Sequence, residues 1–449
     1  MAEGTPRRPA PRARRRRAGG TRADAADTAS AIMRGAHAPP ERGRATVDLR
    51  LSPEYEAWRG ALRAFLEAER PLWREPMADP SGRPSDAARS WQAKLIERGY
   101  TCRTIPAEYG GHGGKPDILK SFLVAEEFHR VGAPTGLANQ GISMFVPTLL
   151  ECGSEEQKQR WIRPTIRGEI VWCQGYSEPG AGSDLASLRT HAVEDGDDFV
   201  INGQKIWTSS AHFSDMMFVL VRTEPDAPKH RGISYLLLPM DTPGIDVRPL
   251  KTMTGRAEFN EVFFTDVRVP KDQIVGARGE GWKVANATLK HERGMLGDPN
   301  QAGSMLARVE RILREETVDG RPLIENPVLQ DRLLRLQGRA LAMKFNGLRL
   351  LTAGQRGEDP GIARLLVKLG GTELNHDIAA FAIDVLGEIG ALYEDAPHLR
   401  DRGFWQSTHM FSLGLIIGGG TSQIQKNIIS ERGLGMPREP RAAALGEGR

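Results

Sequence analysis

Cysteine is scarce in this sequence: three in 449 residues, Cys102, Cys152 and Cys173, far apart along the chain. They form neither a disulfide framework nor a metal-ligand cluster, and they suit a reducing, cytoplasmic setting. No apolar run approaches the ~20 residues that a membrane helix needs. A GxGxxG between a strand and a helix is missing, as are alternating βα units, which sets aside a dinucleotide-binding fold. No internal repeat is visible.

Basic residues are also missing where a nucleic-acid-binding fold would carry them. Residues 1–44 hold eleven Arg, no Lys and four acids, a balance of +7. The whole chain is +4, so the remainder carries −3 and is mildly acidic. The Arg-rich segment has almost no large apolar residues and is expected to be a disordered tail spanning residues 1–48. Its run Arg14 to Arg17 is open to three sharper readings: a nucleic-acid arm, a twin-arginine export signal or a transit peptide. Residues 18–35 lack the apolar stretch an export signal requires, and a plain unstructured extension is favoured.

What is present supports a large folded body. Hydrophobic residues make up 39% and charged residues 26%, with 50 Gly and 29 Pro as punctuation. Residues 49–170 read as a helical domain: Tyr55, Trp58, Leu62, Phe65 and Leu66 fall at helical spacing, and Ile118 to Phe128 forms another apolar-rich helix. PAEYGGHGG (106–114) is expected to be a turn between helices. Residues 171–277 switch to strands: FVINGQKIW (199–207) with an Asn-Gly turn, then MMFVLVRT, ISYLLLPM, IDVRPL and EVFFTDVRVP. Short β-rich runs at about ten-residue spacing predict a compact antiparallel barrel or sandwich. Residues 278–436 return to helix. Met305, Leu306, Val309, Ile312 and Leu313 form one stripe, helices follow over 328–354, 360–385 and 421–432, and a short tail covers 437–449. The fold class is therefore α+β, in the order helical, β, helical.

The densest motif is WCQGYSEPGAGSDLASLRT (172–190). In EPGAGSD, Gly180 and Gly182 let the backbone approach a bulky ligand, and Ser177 and Ser183 offer hydroxyls. Together with INGQKIWTSSA (201–211), TPGIDV, NEVFFTDVRVP, GEGWKVA (279–285) and GGGTSQIQKNIISERGLG (418–435), the sequence resembles the acyl-CoA dehydrogenase family over about residues 50–436. The resemblance implies a helical N-terminal domain, a middle antiparallel β-barrel and a C-terminal helical bundle, with FAD as cofactor. It implies that the segment holding Tyr176, Ser177 and Gly182 meets the flavin ring edge, and that Ser183 binds the pyrophosphate. Trp207 matches the tryptophan flanking the flavin, and Ser209 the hydroxyl beside its N5. Thr421 and Gln423 match positions that touch the cofactor at the start of the last helix, where a free helix end favours phosphate oxygens. Arg321 stands where the family supplies an Arg to a neighbouring subunit's FAD. Ile324 replaces the accompanying aromatic residue, and DVLGEIG (384–390) departs from the family's contact segment.

Removing the α-proton of an acyl thioester requires a base, and the carbonyl oxygen requires hydrogen-bond donors where charge develops. The commonest family pattern puts a Glu at the position of Gly419, and residues 402–430 contain no acid. Gly419 still keeps a backbone N–H to bind substrate. A minority of the family carries the base on the first helix after the barrel, directly before an Arg, and here Glu292-Arg293 stand there. Thr288, Leu289, Met295 and Leu296 surround Glu292 at helical spacing, so no basic neighbour makes it an ordinary surface salt bridge. Desolvation on such a face would raise its pKa into a general base's range. Arg293 is expected to position Glu292 or the substrate, and Pro299 to end or kink the helix.

The leading expectation is α,β-dehydrogenation of an acyl-CoA to the trans-2-enoyl-CoA, electrons passing on to an electron-transferring flavoprotein. A flavin-dependent monooxygenase or oxidase on the same scaffold needs no such base. A non-catalytic subunit of a hetero-oligomer needs none either. An oligomer, homomeric or with a related partner, is implied because the family's subunits share FAD.

Overall fold

The computed structural model describes residues 51–295, 299–394 and 396–438. Within these, the side chains of residues 292–295, 299, 300, 351 and 355 lie outside the description. The Arg-rich tail is therefore outside the described residues. Met1–Glu56 and Ala57–Arg449 separate into two units. Of the first, only residues 51–56 are described, and the second holds the remaining elements.

The helical start follows the predicted periodicity. Helix α1 (Pro53–Ala68) buries Leu62 and Leu66, one turn apart. Helix α2 (Asp86–Arg98) begins at Ser85, whose side chain accepts the Ala88 N–H, and α3 (Ile118–Val131) begins likewise at Asp117. Gly99 and Gly132 close them in the left-handed conformation that a side chain disfavours. Residues 106–114 form the expected turn, with one 3₁₀ turn at Ala107–Tyr109. A π-turn (Gly141–Phe145) runs into α4 (Val146–Cys152), and α5 (Glu155–Ile166) starts with a capping box between Ser154 and Gln157.

Seven strands follow: β1 (Trp172–Gly175), β2 (His191–Asp195), β3 (Asp198–Lys205), β4 (Met216–Arg222), β5 (Ile233–Pro239), β6 (Ile245–Leu250) and β7 (Phe259–Pro270). They pair in the order β1-β4-β2-β3-β7-β6, with β5 also on β4. Most pairs are antiparallel, as expected. β1 and β2 instead join β4 in parallel. Among the described residues no pairing closes the sheet, which is a half-barrel.

β4 and β5 are almost wholly buried and mostly apolar because both faces are covered. Phe218, Leu220, Tyr235 and Leu237 pack with Phe145, Trp161 and Trp172 beneath the N-terminal helices. Met217, Val219, Leu236 and Leu238 face Phe199, Ile201, Val262 and Phe264 inside the half-barrel.

One sequence expectation is corrected. Asn202-Gly203 is not a turn but a bulge within β3, where the register to β7 shifts between Ile201 and Gly203. Asn202 and Asp266 exchange two hydrogen bonds across it. Gly203 sits at φ 148°, and a Cβ there would meet the Thr190 main chain at 2.7 Å. The hairpin reversal instead falls at Gly196 (φ 62°), between β2 and β3.

The C-terminal bundle comprises α6 (Gly281–Met295), α7 (Pro299–Glu315), α8 (Pro327–Arg356), α9 (Ile362–Leu386), α10 (Phe404–Ile417) and α11 (Ser422–Ile428). Helix α6 is described to Met295 and α7 from Pro299, a first-turn position where the missing N–H costs nothing. The predicted stripe Met305, Leu306, Val309, Ile312 and Leu313 is buried against α8 and α9. Helix α10 was not anticipated. Its FWQSTHMFSLGLII run is apolar nearly all round, so no 3.6-residue stripe stands out. Among the described residues no helix is long and apolar enough to cross a membrane.

Candidate active site

Two barrel loops come together around a buried ion pair. Lys205, fully buried at the end of β3, donates from Nζ to Glu178 Oε1 (2.8 Å) and to the Tyr176 carbonyl (3.2 Å). The Glu178 carboxylate also accepts the N–H groups of Arg189 (2.6 Å) and Thr190 (2.9 Å). Burial pushes the Lys205 ammonium down to about 8 against the pull of Glu178. Burial acts to raise the Glu178 carboxyl, but the Lys205 charge and these hydrogen bonds outweigh it and hold it below its ordinary value. At neutral pH the pair is ionised, and it joins residues 176–178 to 189–190 and 205. The Ile206 N–H adds a bond to the Ser177 carbonyl at 2.9 Å.

On this base the EPGAGSD loop turns outward. Glu178 and Ala181 exchange two backbone hydrogen bonds, each 3.0 Å, across Pro179-Gly180. Gly180, Gly182 and Ser183 are exposed, and a Cβ on either glycine would meet nothing within 4 Å. Ser177 is half-buried. Tyr176 turns its ring into the core against Phe218 and Tyr235, so only its main chain is left to meet a ligand.

The second loop is strained. Trp207 adopts φ 60° and Ser210 φ 63°, a region bulky residues avoid, yet Trp207 is 57% exposed. Its ring meets Phe259 edge-on, centroids 5.9 Å apart. Asn260, fully buried, holds the loop: its backbone and that of Thr208 exchange two 3.1 Å bonds, and its Nδ2 donates to the Thr208 carbonyl at 2.8 Å. Ser209 is half-buried between these anchors. Thr208 Oγ1, Asn260 Oδ1 and Ser422 Oγ are buried without a hydrogen-bond partner. A cavity of about 340 Å³ lies between the loop carrying Arg256 and Glu258 and helices α7 and α10, lined also by Met305, Asn375 and Phe411. The Glu258 carbonyl accepts the Ser210 N–H, which ties this cavity wall to the tryptophan loop.

The third element is the turn Gly418–Thr421. Gly419 (φ 63°) and Gly420 (φ 91°) are both left-handed, and Thr421 caps α11 through its Oγ1 to the Ile424 N–H. Among the described residues the N–H groups of Gly419, Gly420 and Thr421 find no well-aligned acceptor. Gln423 is exposed on α11.

Glu292 and Arg293 lie on α6, but their side chains are outside the described residues. One turn earlier, buried Thr288 bonds Thr148 of α4 (Oγ1 to Oγ1, 3.0 Å), fixing α6 to the N-terminal helices. Arg321 is exposed on a two-residue hairpin between α7 and α8. The partners Lys205, Glu178, Asn260 and Lys368 escaped sequence reasoning. Lys205 carried a usable signal, since it follows Phe199 and Ile201 in an inward phase of β3.

Open glycines, a strained exposed tryptophan, unpaired buried oxygens and free backbone donors fit a planar, phosphate-bearing cofactor such as FAD. Among the described residues no cluster of His, Cys, Asp or Glu is arranged for a metal.

Models of the acyl-CoA dehydrogenase N-terminal, middle and C-terminal domains match residues 52–169, 173–267 and 279–434. Acyl-CoA dehydrogenase IpdE1 of Mycobacterium tuberculosis is 41% identical over 354 residues, covering 78% of this chain and 88% of that one. The human mitochondrial short-chain specific acyl-CoA dehydrogenase is 31% identical over 351 residues, covering 75% and 80%. Among solved structures, the Tcur3481-Tcur3483 steroid ACAD aligns with TM-score 0.72 at 31% identity, covering 87% of this chain and all of that one. The ChsE4-ChsE5 complex from Mycobacterium tuberculosis aligns with TM-score 0.71 at 32% identity, with the same coverage.

Proposed function

Because the chain belongs to the acyl-CoA dehydrogenase family, FAD-dependent oxidoreductases acting on acyl-CoA, we propose that it converts an acyl-CoA thioester to the trans-2-enoyl-CoA. The observation that carries this reading is the paired barrel loops, EPGAGSD and WTS, held together by the Glu178–Lys205 ion pair and open to a ligand. Ser177, Gly182, Ser183, Trp207, Ser209, Thr421, Gln423 and the main chain at Tyr176 would hold FAD. When bound, FAD supplies the acceptor for the substrate's β-hydride.

Glu292 takes the α-proton, and Arg293 positions Glu292 or the substrate. The Gly419 N–H donates to the thioester carbonyl oxygen, where negative charge develops as the proton leaves. Gly419 carries no carboxylate, so the base and the carbonyl donor come from different elements, α6 and the turn before α11. Electrons leave for an electron-transferring flavoprotein. The protein works as an oligomer, homomeric or with a related subunit, in which Arg321 reaches a neighbour's FAD. The two solved relatives, each named for two components, support this assembly.

The test is anaerobic titration of the purified yellow protein with straight-chain, branched and steroid-bearing acyl-CoAs, the last chosen because one solved relative is titled a steroid ACAD. Bleaching of the flavin band with formation of the enoyl-CoA is the expected result. Flavin that no thioester reduces, alone or with a related subunit, would overturn dehydrogenation and favour a monooxygenase or oxidase. Bleaching that appears only with a second subunit would favour a non-catalytic role.

A further inference from the structure

The three glycines of the turn that offers the Gly419 N–H have no side chains to hold it. What holds it comes from α9. The buried stripe of that helix, Ile378, Thr372, Gly371 and Asn375, continues back to Lys368, which is 2% exposed. A buried ammonium has to be compensated by strong hydrogen bonds, because its desolvation costs several kcal/mol. Lys368 Nζ donates to the Ile416 carbonyl (3.0 Å) and to the Gly420 carbonyl (2.7 Å). The first is among the free carbonyls at the C-terminal end of α10, where the helix dipole favours a cation. The second lies beyond the turn. One side chain therefore spans the turn from one end to the other.

Gln425 completes the fastening: its Nε2 donates to the Gly419 carbonyl at 3.2 Å. The peptide bonds of this turn are trans, so each N–H points opposite to the carbonyl of its own peptide plane. Pinning the Gly419 and Gly420 carbonyls toward Gln425 and Lys368 turns the N–H groups of Gly420 and Thr421 away from them. These two, with Gly419 N–H, are the donors that find no well-aligned acceptor among the described residues. A Cβ on Gly420 would come within 2.7 Å of Gln425 Nε2, so the glycine is needed for this closeness.

We propose that Lys368 is a positioning residue for carbonyl polarisation: it clasps the two ends of the Gly418–Thr421 turn, at the Ile416 and Gly420 carbonyls, so that the turn's backbone donors meet the thioester oxygen. The inference rests on Gly419 as the carbonyl donor. Removing an oxyanion donor outright typically costs 10²–10³-fold. Loosening the turn without deleting the donor is expected to slow flavin reduction about ten-fold.

The experiment uses the holoenzyme of the wild type, Lys368→Met and Lys368→Arg. The ligand is the enoyl-CoA product of whichever thioester bleaches the wild-type flavin fastest, labelled with ¹³C at the thioester carbonyl. Isotope-edited vibrational spectra report how far binding lowers the carbonyl stretch, a quantity that a purely structural role would leave alone. The wild type is expected to lower it, Lys368→Met to lose most of that shift while keeping FAD, and Lys368→Arg to recover part. A wild-type shift that Lys368→Met retains in full overturns the inference alone. A wild type with no bleaching or no shift overturns the Gly419 reading and the inference together. Should Lys368→Met fail to fold, Gln425→Ala, which releases only the Gly419 carbonyl, is expected to lose part of the shift. Its retention in full would overturn the inference.

Discussion

The proposed chemistry turns on Glu292, because the position that commonly carries the family's base is Gly419 and residues 402–430 contain no acid. Glutamine keeps the size and much of the hydrogen bonding of a glutamate but cannot take a proton. Glu292→Gln is therefore expected to retain FAD and to slow flavin reduction by about 10²–10⁴-fold, as loss of a general base does. Anaerobic stopped-flow at the flavin band measures it, and a wild-type rate would remove Glu292 from the mechanism. Glu292 and Trp207 are singled out by sequence alone, because both sit inside recognisable motifs. Lys205 and Glu178 were not legible as a pair. They are 27 residues apart, and only the folding of β3 beside the segment after β1 brings their charges to 2.8 Å.

At the scale of elements, helices α1 and α3 are joined by charge as well as by apolar packing. Glu127 of α3 is buried and accepts from Arg59 and Arg63 of α1 and from Arg130 one turn along its own helix. Hydrogen bonds, that from Arg63 foremost, hold its carboxyl down at about 2 despite the opposing effect of burial. The folded value lies below the ordinary one of 4.5, so this stabilisation is fully present above about pH 4.5. It is lost as the pH falls from there toward 2. Glu127→Gln is expected to lower stability by roughly 1–3 kcal/mol at pH 7. Thermal melts of variant and wild type are expected to converge across pH 4.5 to 2, and a gap independent of pH would refute the assignment. Strands β3 to β7 were readable because burial alternates or runs unbroken along them. The Asn202-Gly203 pair misled because local turn preference was overridden by pairing with β7, where Asp266 supplies the matching partner for Asn202.

At the scale of the whole molecule, α8 carries Leu334, Leu341, Phe345 and Leu348 exposed at helical spacing, and Ile417 is exposed at the end of α10. Light scattering is expected to give a multiple of the 49.4 kDa chain mass, and Leu341→Glu with Phe345→Glu is expected to lower it. A monomer that binds FAD tightly would count against subunit-shared cofactor binding.

The helical–β–helical order and the cofactor motifs could be read from sequence, since hydrophobic period and short glycine-rich motifs are local properties of the chain. So could the missing base at Gly419. Tertiary structure alone decided what supports them. The half-barrel's parallel β1–β4 pairing, the ion pair beneath the EPGAGSD loop and the Lys368 clasp across the glycine turn each join segments distant in sequence. Their strength depends on excluding water from charges and carbonyls that no local pattern places together.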